Sequence, residues 1–497
     1  MSANEKEFAG YVAIKEGGSF FKGTYRLAGE RKRLSELIAP SDENTEIDPI
    51  PNETDRDSVE HEALEEILDR ASGAAQSLHS LVFTIQVSRA IHTGILRQFE
   101  IIDAAQKHGE KLSEENDYVI YGLDGAWFSN LLNASASLNK THRGYELLPS
   151  SVFLSIISVF DSLMVEFVEK MLRLKPQRLE SSSKEIEVSK VLKFSDMDSF
   201  WEHIIDEEIF SFSKGSHEEQ VKYIEKAFNV SIIKFWKRWP DFIEVFERRN
   251  LVAHGVKTFN KRYAERCASA GHKGSDEQIG KEVELRHNYL IQALNILFEF
   301  YGLLIFSVWK KIFPIKEPEA FSAANQFCFD LISNEIYDAP TQILTYLTDL
   351  EKSNVDKRTY LMLLVNLASA HKHNDKNDEA QSVLDKENWG AYSEDFQICV
   401  AALKEDIDTV CKKIPIVVSS SDFDKDAFRT WPVFSFIRYD KKFRRAFVEQ
   451  FGEDIIDPKE PVEDQSKAEE GSGENLALPD GASDETDAPT SDAETIH

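Results

Sequence analysis

Cysteine is scarce in this sequence of 497 residues, and its four cysteines are scattered. Cys267, Cys328, Cys399 and Cys411 form no CxxC pair, and no pair of histidines stands near them. Structural zinc sites and disulfide frameworks need grouped cysteines, so this spacing excludes both and is typical of free thiols in a reducing compartment. We therefore expect no metal site and no cofactor held by cysteine.

A glycine-rich phosphate loop and an N-terminal apolar signal region are also absent, which predicts a cytoplasmic protein. The most hydrophobic stretch, Leu290–Trp309, is interrupted by Gln292, Asn295 and Glu299. A glutamate in the middle of a membrane span is costly. We therefore interpret this stretch as a buried core helix, with a membrane span as the less favoured alternative, and expect no membrane partner.

Positive charge is scarce overall but concentrated in one segment. The chain has 87 acidic and 58 basic residues and a net charge of −29, which argues against a nucleic-acid partner, because phosphates attract positive surfaces. Residues 41–70 and 451–497 carry about −10 and −13 of this charge, whereas Lys234–Arg266 carries about +5. Since a ligand responds to local charge, the basic segment keeps RNA as a candidate partner.

Hydrophobic periodicity predicts an all-α protein with a sizeable core, since 42% of its residues are hydrophobic and 11% aromatic. A helical bundle is expected at 148–312, with helices at 150–174 (beginning at a serine cap), Trp201–Phe212, Glu218–Phe228, Pro240–His254 and Glu282–Lys311. The other predicted segments are an N-terminal cap (a small strand pair or irregular structure) with an acidic linker at 1–60, a helical region of unknown role at 61–147, a helical-repeat-like domain at 317–450 and a disordered acidic tail at 451–497.

The repeat-like interpretation rests on residues 357–414. The run YLMLLVNLASAHKHN is followed by NDEAQSVLDKEN, and it places Ala368 and Ala370 where two paired helices must approach closely. This pair resembles a tetratricopeptide unit, with a generic helical bundle as the alternative. His371 and His373 stand two apart and point in different directions on a helix, which favours solvent exposure over metal binding.

The run ERRNLVAHG carries the most specific signal in the chain. Pro240 suits the first turn of a helix and Gly255 a left-handed cap, so we expect a helix from about Asp241 to His254. On a helical wheel Arg249 falls within the apolar stripe of Phe242, Val245 and Phe246, whereas Arg248 points away to solvent. Asn250 and His254 share a second face.

A guanidinium on a core face needs a partner or a ligand, because burying it unpaired costs several kcal/mol. The residues leave this choice open. Arg249 either forms an ion pair with Asp161 or Glu166, tying two helices together, or binds an anionic ligand. His254 likewise either caps the end of its helix or acts as an acid and base, since a C-terminal helix end favours the protonated imidazole.

An arginine and a polar residue followed shortly by a histidine are similar to the signature of HEPN domains. Gly255, Asn260 and Tyr263 in HGVKTFNKRY resemble the continuation of that signature, and Asp161 in ISVFDSLMVEFV resembles the acidic residue of the first HEPN helix. The resemblance covers residues 148–312. It implies an all-α homodimer in which two copies of the motif face each other across a cleft.

Active HEPN proteins are metal-independent endoribonucleases, many of them in phage defence or toxin–antitoxin systems. The resemblance implies that His254 exchanges protons with the ribose 2′-hydroxyl or the leaving oxygen, that Arg249 stabilises the charged phosphorane, and that Asn250 orients one of them. It gives Asp161, Asn260 and Tyr263 supporting roles, and Lys257, Lys261 and Arg262 form the basic RNA-binding group.

Other HEPN proteins have lost activity and only bind RNA or protein. The alternative function is therefore a non-catalytic HEPN dimer whose repeat-like C-terminal part holds a protein partner.

Overall fold

A computed structural model describes most of the helical part of the chain. The described residues are 11–15, 24–28, 53–90, 106–108, 110–115, 118–122, 125–176, 191, 194–350, 355–420 and 423–456. They divide into two compact units, Met1–Glu60 and His61–His497. The predicted acidic tail beyond residue 456 and residues 41–52 of the predicted linker lie outside the described residues.

The N-terminal unit contains an antiparallel hairpin of β1 (Tyr11–Lys15) and β2 (Thr24–Ala28), in which Tyr11 pairs with Ala28. This hairpin confirms the strand pair as the better of the two interpretations of the N-terminal cap. Residues 53–60, which we assigned to the acidic linker, are helical.

Helices make up most of the remaining described structure, which confirms the helical character predicted from the periodicity. The helices are α1 (Glu53–Ala90), α2 (Gly125–Leu174), α3 (Met197–Lys214), α4 (His217–Phe228), α5 (Ile232–Phe235), α6 (Trp239–Ala253), α7 (Lys261–Ser269), α8 (His287–Ile312), α9 (Glu317–Ser333), α10 (Asp338–Asp349), α11 (Lys357–His373), α12 (Asn377–Leu384), α13 (Glu394–Leu403), α14 (Ile407–Ser420), α15 (Lys425–Thr430) and α16 (Lys441–Phe451).

Three predictions about where the helices lie are wrong. An antiparallel hairpin of β3 (Glu110–Glu115) and β4 (Tyr118–Gly122) interrupts the region expected to be helical, because the aromatic and β-branched residues of YVIYG favour a strand. Helix α2 starts at Gly125, so serines at 150–151 lie inside it and Ser151 donates a hydrogen bond to the Leu147 carbonyl. Helix α8 starts at His287 and not at Glu282, which instead forms a β-bridge with Thr258.

The core of the bundle is built on aromatic side chains of α2, α6 and α8. Phe160 of α2 is fully buried, and its ring centroid lies 5.9 Å from those of both Phe242 and Phe246 on α6. The ring of Phe300 on α8 lies 4.6 Å from that of Phe242. Such edge-to-face and tilted pairs add to the burial energy of each ring and fix the helices relative to one another.

Among the described residues, two helical segments are long and apolar enough to cross a membrane by length and composition, Leu147–Leu174 and His287–Ile312. The apolar window of the second is 83% buried inside the protein. Gly302 lies in this helix where an added Cβ would stand 2.8 Å from Ile343 and 2.9 Å from Phe327. Close contact with α9 and α10 along this helix is what the predicted buried core helix requires.

Beyond α8 the helices pair as hairpins, α9 with α10, α11 with α12 and α13 with α14. Each of the three turns contains a non-glycine residue in the left-handed region, Glu335 (φ 62°), Asp375 (φ 58°) or Glu405 (φ 55°). In each, the next residue donates its N–H to a carbonyl five positions back at 2.9 Å, a Schellman-type helix end. The same turn therefore closes three successive helix pairs.

A buried ionic cluster joins the bundle to the first of these pairs. Glu299 of α8 accepts hydrogen bonds from the Trp236 indole (2.6 Å) and from the Arg238 guanidinium (2.7 Å). Arg238 also pairs with Asp338 of α10 at 2.7 Å. Burial raises the pKa of the Glu299 carboxyl to about 7, in spite of the attraction of Arg238.

This raised pKa makes part of the stability dependent on pH. Between 4.5 and about 7 the folded state holds a proton on Glu299 that the unfolded state has lost, so stability falls as the pH rises through this window. We expect Glu299→Gln to remove this dependence. The free energy of unfolding of the variant minus that of wild type should therefore be about 3 kcal/mol higher at pH 7.5 than at pH 4.5. Urea denaturation at both pH values measures the difference, and an unchanged difference contradicts the prediction.

Candidate functional site

Helix α6 carries the ERRNLVAHG motif and is built as its sequence predicts. Pro240 lies in the first turn, where its missing N–H costs no hydrogen bond. His254 is the capping residue, and its N–H donates to the Asn250 carbonyl at 3.2 Å. Gly255 follows with φ of 66°, which confirms the expected left-handed cap.

Arg249 projects from α6 into a cavity of about 590 Å³. The cavity wall comes from α2, from the start of α4 with the turn before it, and from Arg70 of α1. Arg249 is half-buried, and its Nε atom is buried without a hydrogen-bond partner. Among the described residues its guanidinium makes no ion pair within 4 Å, so the cationic group faces the cavity uncompensated.

Of the two alternatives for Arg249, the ion pair with an acidic residue of α2 is not formed, and both candidate carboxylates have other partners. Asp161 lies 2.6 Å from Nε2 of His217, and Glu166 lies 2.7 Å from Nη1 of Arg70. Neither partner is close to Arg249 in sequence, and the helical pattern could not show that they would compete for these carboxylates.

His217 is the residue of this cavity that the sequence analysis missed. Its ring stacks on Phe246 at 3.4 Å between centroids and an angle of 13°, and its side chain is 10% exposed. Burial lowers the pKa of the imidazole below its ordinary value, Asp161 opposes this change and Arg249 contributes to it. Ser216 and Glu219 form a capping box that marks the start of α4, but no spacing rule links His217 to a residue 56 positions away.

Asn250 and His254 lie outside this cavity, and both are exposed. Five residues at 100° per step place His254 about 140° around the helix from Arg249. A single chain therefore does not bring Arg249 and His254 together. The His254 backbone caps α6, as the alternative interpretation expected.

Asn260 and Tyr263, the other two predicted supporting residues, have structural roles. The Asn260 side chain caps α7 by accepting the Tyr263 N–H at 2.9 Å. Tyr263 is 2% exposed, and its hydroxyl donates to Glu244 at 2.6 Å. Neither residue lines the Arg249 cavity. In contrast, Lys257, Lys261 and Arg262 are exposed, so a polyanion has access to them.

The expectation that Arg248 points to solvent is wrong. Its side chain is 15% exposed, its Nε donates to Glu244 at 2.7 Å, and its guanidinium lies 3.8 Å from the Tyr289 ring centroid. The Tyr289 hydroxyl also donates to Glu244, at 2.8 Å. A helical wheel of α6 alone cannot show this network, because α7 and α8 supply the two tyrosines.

A second cavity of about 410 Å³ lies on the C-terminal helix pairs, against the first helix of each pair, α9, α11 and α13. Phe329, Met362, Phe396 and Trp431 are among the residues that line it. His371 and His373, which we expected to be exposed, are both half-buried, and His373 stacks on Tyr337 at 4.7 Å. Within the part of the chain that the structure describes, no three His, Cys, Asp or Glu residues are grouped as metal ligands.

Neighbouring arginines with opposite environments give a matched test of this geometry. Arg248→Ala leaves the buried Glu244 without its cation, and we expect it to lower the free energy of unfolding by about 3 kcal/mol. Arg249→Ala breaks no ion pair, and we expect a change within about 1 kcal/mol. Urea denaturation of both variants measures the contrast. Equal losses in the two variants would mean that Arg249 has a protein partner.

The chain matches no protein-family model, and no curated protein or solved structure is significantly similar to it. The conclusions about this site therefore rest on its own residues and on the motif.

Proposed function

We propose that this protein is a metal-independent endoribonuclease of the HEPN type. The observation that carries the proposal is the uncompensated guanidinium of Arg249, which faces a cavity while the nearby carboxylates Asp161 and Glu166 are occupied by other partners. A structural arginine on a core face would have taken one of them. An arginine that has no anionic partner among the described residues is available for a ligand anion.

Phosphodiester chemistry suits such a group. The guanidinium donates in a planar fork that matches two phosphate oxygens, and it keeps its charge at every accessible pH. In a cavity partly shielded from water, a preorganised cation stabilises the extra negative charge of a phosphorane more strongly than water does. No metal is required for this role.

A homodimer brings Asn250 and His254 to the reaction. Since Asn250 and His254 lie outside the cavity of their own chain, they act across the dimer cleft, where His254 exchanges protons with RNA and Asn250 orients the reacting groups. The exposed Lys257, Lys261 and Arg262 bind the RNA backbone and offset the acidic charge of the whole chain. The protein acts in the cytoplasm as a regulated effector in phage defence or a toxin system, and its other helical parts restrain cleavage.

One observation favours a second candidate function, that of a non-catalytic interaction protein. The cavity on α9, α11 and α13 has aromatic walls, and Arg358 and Asp395 form an ion pair there at 3.1 Å. A tetratricopeptide-like arrangement of these helix pairs would offer this surface to a protein partner. In that case the Arg249 site binds RNA or stabilises a dimer without cleaving.

RNA cleavage by the purified protein tests the first candidate. We expect cleavage in the presence of EDTA, products with 2′,3′-cyclic phosphate ends, and at least a 100-fold loss of rate in both Arg249→Ala and His254→Ala. His203→Ala is the matched control, because His203 is also an exposed helical histidine but lies on α3 outside the cavity. Its rate should equal that of wild type.

Cleavage that survives both substitutions would contradict the assignment of the site. RNA binding without cleavage, lost in Arg249→Ala, would favour the non-catalytic alternative.

The mass in solution tests the homodimer. We expect light scattering behind size exclusion to give twice the chain mass, and mixing inactive Arg249→Ala with inactive His254→Ala to restore part of the activity, because a mixed dimer contains one intact site. A strict monomer that still cleaves RNA would contradict the composite site.

A further inference from the structure

We propose that the scissile RNA phosphate binds inside the Arg249 cavity of a single chain, and that His217 is the general base that activates the ribose 2′-hydroxyl there. The inference rests on the proposed function and adds to it. It assigns a catalytic role to a residue outside the ERRNLVAHG motif, held by Asp161 from another helix.

A general base must lie beside the scissile phosphate. The phosphate must lie at Arg249, and the guanidinium opens into the cavity that His217 also lines. His254 is about 140° away around α6 and exposed. The imidazole that shares a cavity with Arg249 in the same chain is therefore that of His217.

A general base must also be held with an open lone pair. Nε2 of His217 lies 2.6 Å from Oδ1 of Asp161, so the neutral ring carries its hydrogen on Nε2 and its lone pair on Nδ1. Nδ1 has no hydrogen-bond partner among the described residues. The stack on Phe246 fixes the plane of the ring. A histidine whose tautomer is set by a carboxylate and whose other nitrogen is open has the arrangement of a general base.

The ion pairs around His217 leave the guanidinium of Arg249 open to a ligand anion. Glu166 of α2 is paired with Arg70 of α1, and Glu169 of α2 is paired with Arg173 at 3.1 Å. Asp161 accepts a hydrogen bond from the neutral His217 ring, and Arg249 of α6 makes no ion pair within 4 Å among the described residues, so its guanidinium can donate to an anion. Burial keeps the pKa of His217 below its ordinary value, so the ring is unprotonated and able to accept a proton at neutral pH.

Size also fits. A cavity of about 590 Å³ falls within the roughly 300–1,000 Å³ usual for small-ligand sites and has room for one nucleotide. Ser158, Ser162 and Ser213 line it, and the hydroxyls of Ser162 and Ser213, which donate to backbone carbonyls, can still accept a hydrogen bond from the sugar.

The reaction is a transesterification that balances without an oxidant or a metal. Nδ1 of His217 takes the proton of the 2′-hydroxyl, and the 2′-oxygen forms a bond to phosphorus. Arg249 donates to the two non-bridging oxygens of the phosphorane. The bond from phosphorus to the 5′-oxygen breaks with its electron pair, and the leaving oxygen takes a proton from the imidazole of His254 in the second copy of the dimer. The products are a 2′,3′-cyclic phosphate and a 5′-hydroxyl.

The test compares RNA cleavage by wild type, His217→Gln and Asp161→Asn across pH 4.5–8, with His203→Gln as the matched control and thermal melts as a check on folding. We expect His217→Gln to lose at least 100-fold in rate and His203→Gln to lose nothing. In wild type the rate should rise with pH through the pKa of His217, below 6.5. Since Asp161 raises that pKa, Asp161→Asn should move this rise to lower pH and reduce the plateau.

A binding measurement separates this inference from the proposed function. A single-stranded DNA oligonucleotide has no 2′-hydroxyl and cannot react by this route, so it reports binding alone. We expect it to perturb the NMR signals of the His217 ring, and we expect Arg249→Ala to abolish the perturbation. Assignment of the signals uses their loss in His217→Gln.

The outcomes differ for the two proposals. Cleavage by folded His217→Gln within threefold of wild type overturns the role of His217 and leaves the endoribonuclease standing. Perturbation of His217 by the oligonucleotide, with no RNA cleaved by wild type, overturns the endoribonuclease and leaves only the phosphate site. No perturbation of His217 overturns the site.

Discussion

The aromatic contact between α2 and α6 is the constraint on which the candidate site depends. Phe160 lies against Phe242 and Phe246, all three are buried, and their rings hold the two helices at a fixed distance and rotation. The ring of His217 also stacks on Phe246. The same packing that buries hydrophobic area therefore places Arg249, Asp161 and His217 around one cavity.

The pairing of the acidic side chains then determines which basic side chains have a partner within the protein. Asp161, Glu166 and Glu299 are each paired with a group from another part of the chain, and Glu244 is paired with Arg248 of its own helix. A buried charge without a partner is costly, and the desolvation of both groups offsets most of the attraction within a pair. These pairs therefore fix side chains relative to one another without adding much net stability. Within the described part of the chain Arg249 makes no such pair, and its guanidinium gives the cavity its chemical character.

The C-terminal helix pairs follow a simpler rule. Each ends its first helix on a left-handed residue that is not glycine, at Glu335, Asp375 and Glu405. Such a conformation costs an L-residue roughly 1 kcal/mol, which the hydrogen bonds of the turn and the packing of the paired helices offset. The aromatic cavity on α9, α11 and α13 results from stacking these pairs side by side.

The sequence by itself determined the helical character, the course of α6 with Pro240 at its start and Gly255 after its end, and the half-burial of Arg249. These features follow from periodicity and local backbone chemistry, which act over a few residues. Only the tertiary structure decided the partners. Asp161 meets His217, Glu166 meets Arg70, and Arg248 is buried with Glu244 and Tyr289, because pairing between side chains distant in sequence depends on how the helices pack and leaves no periodic signal.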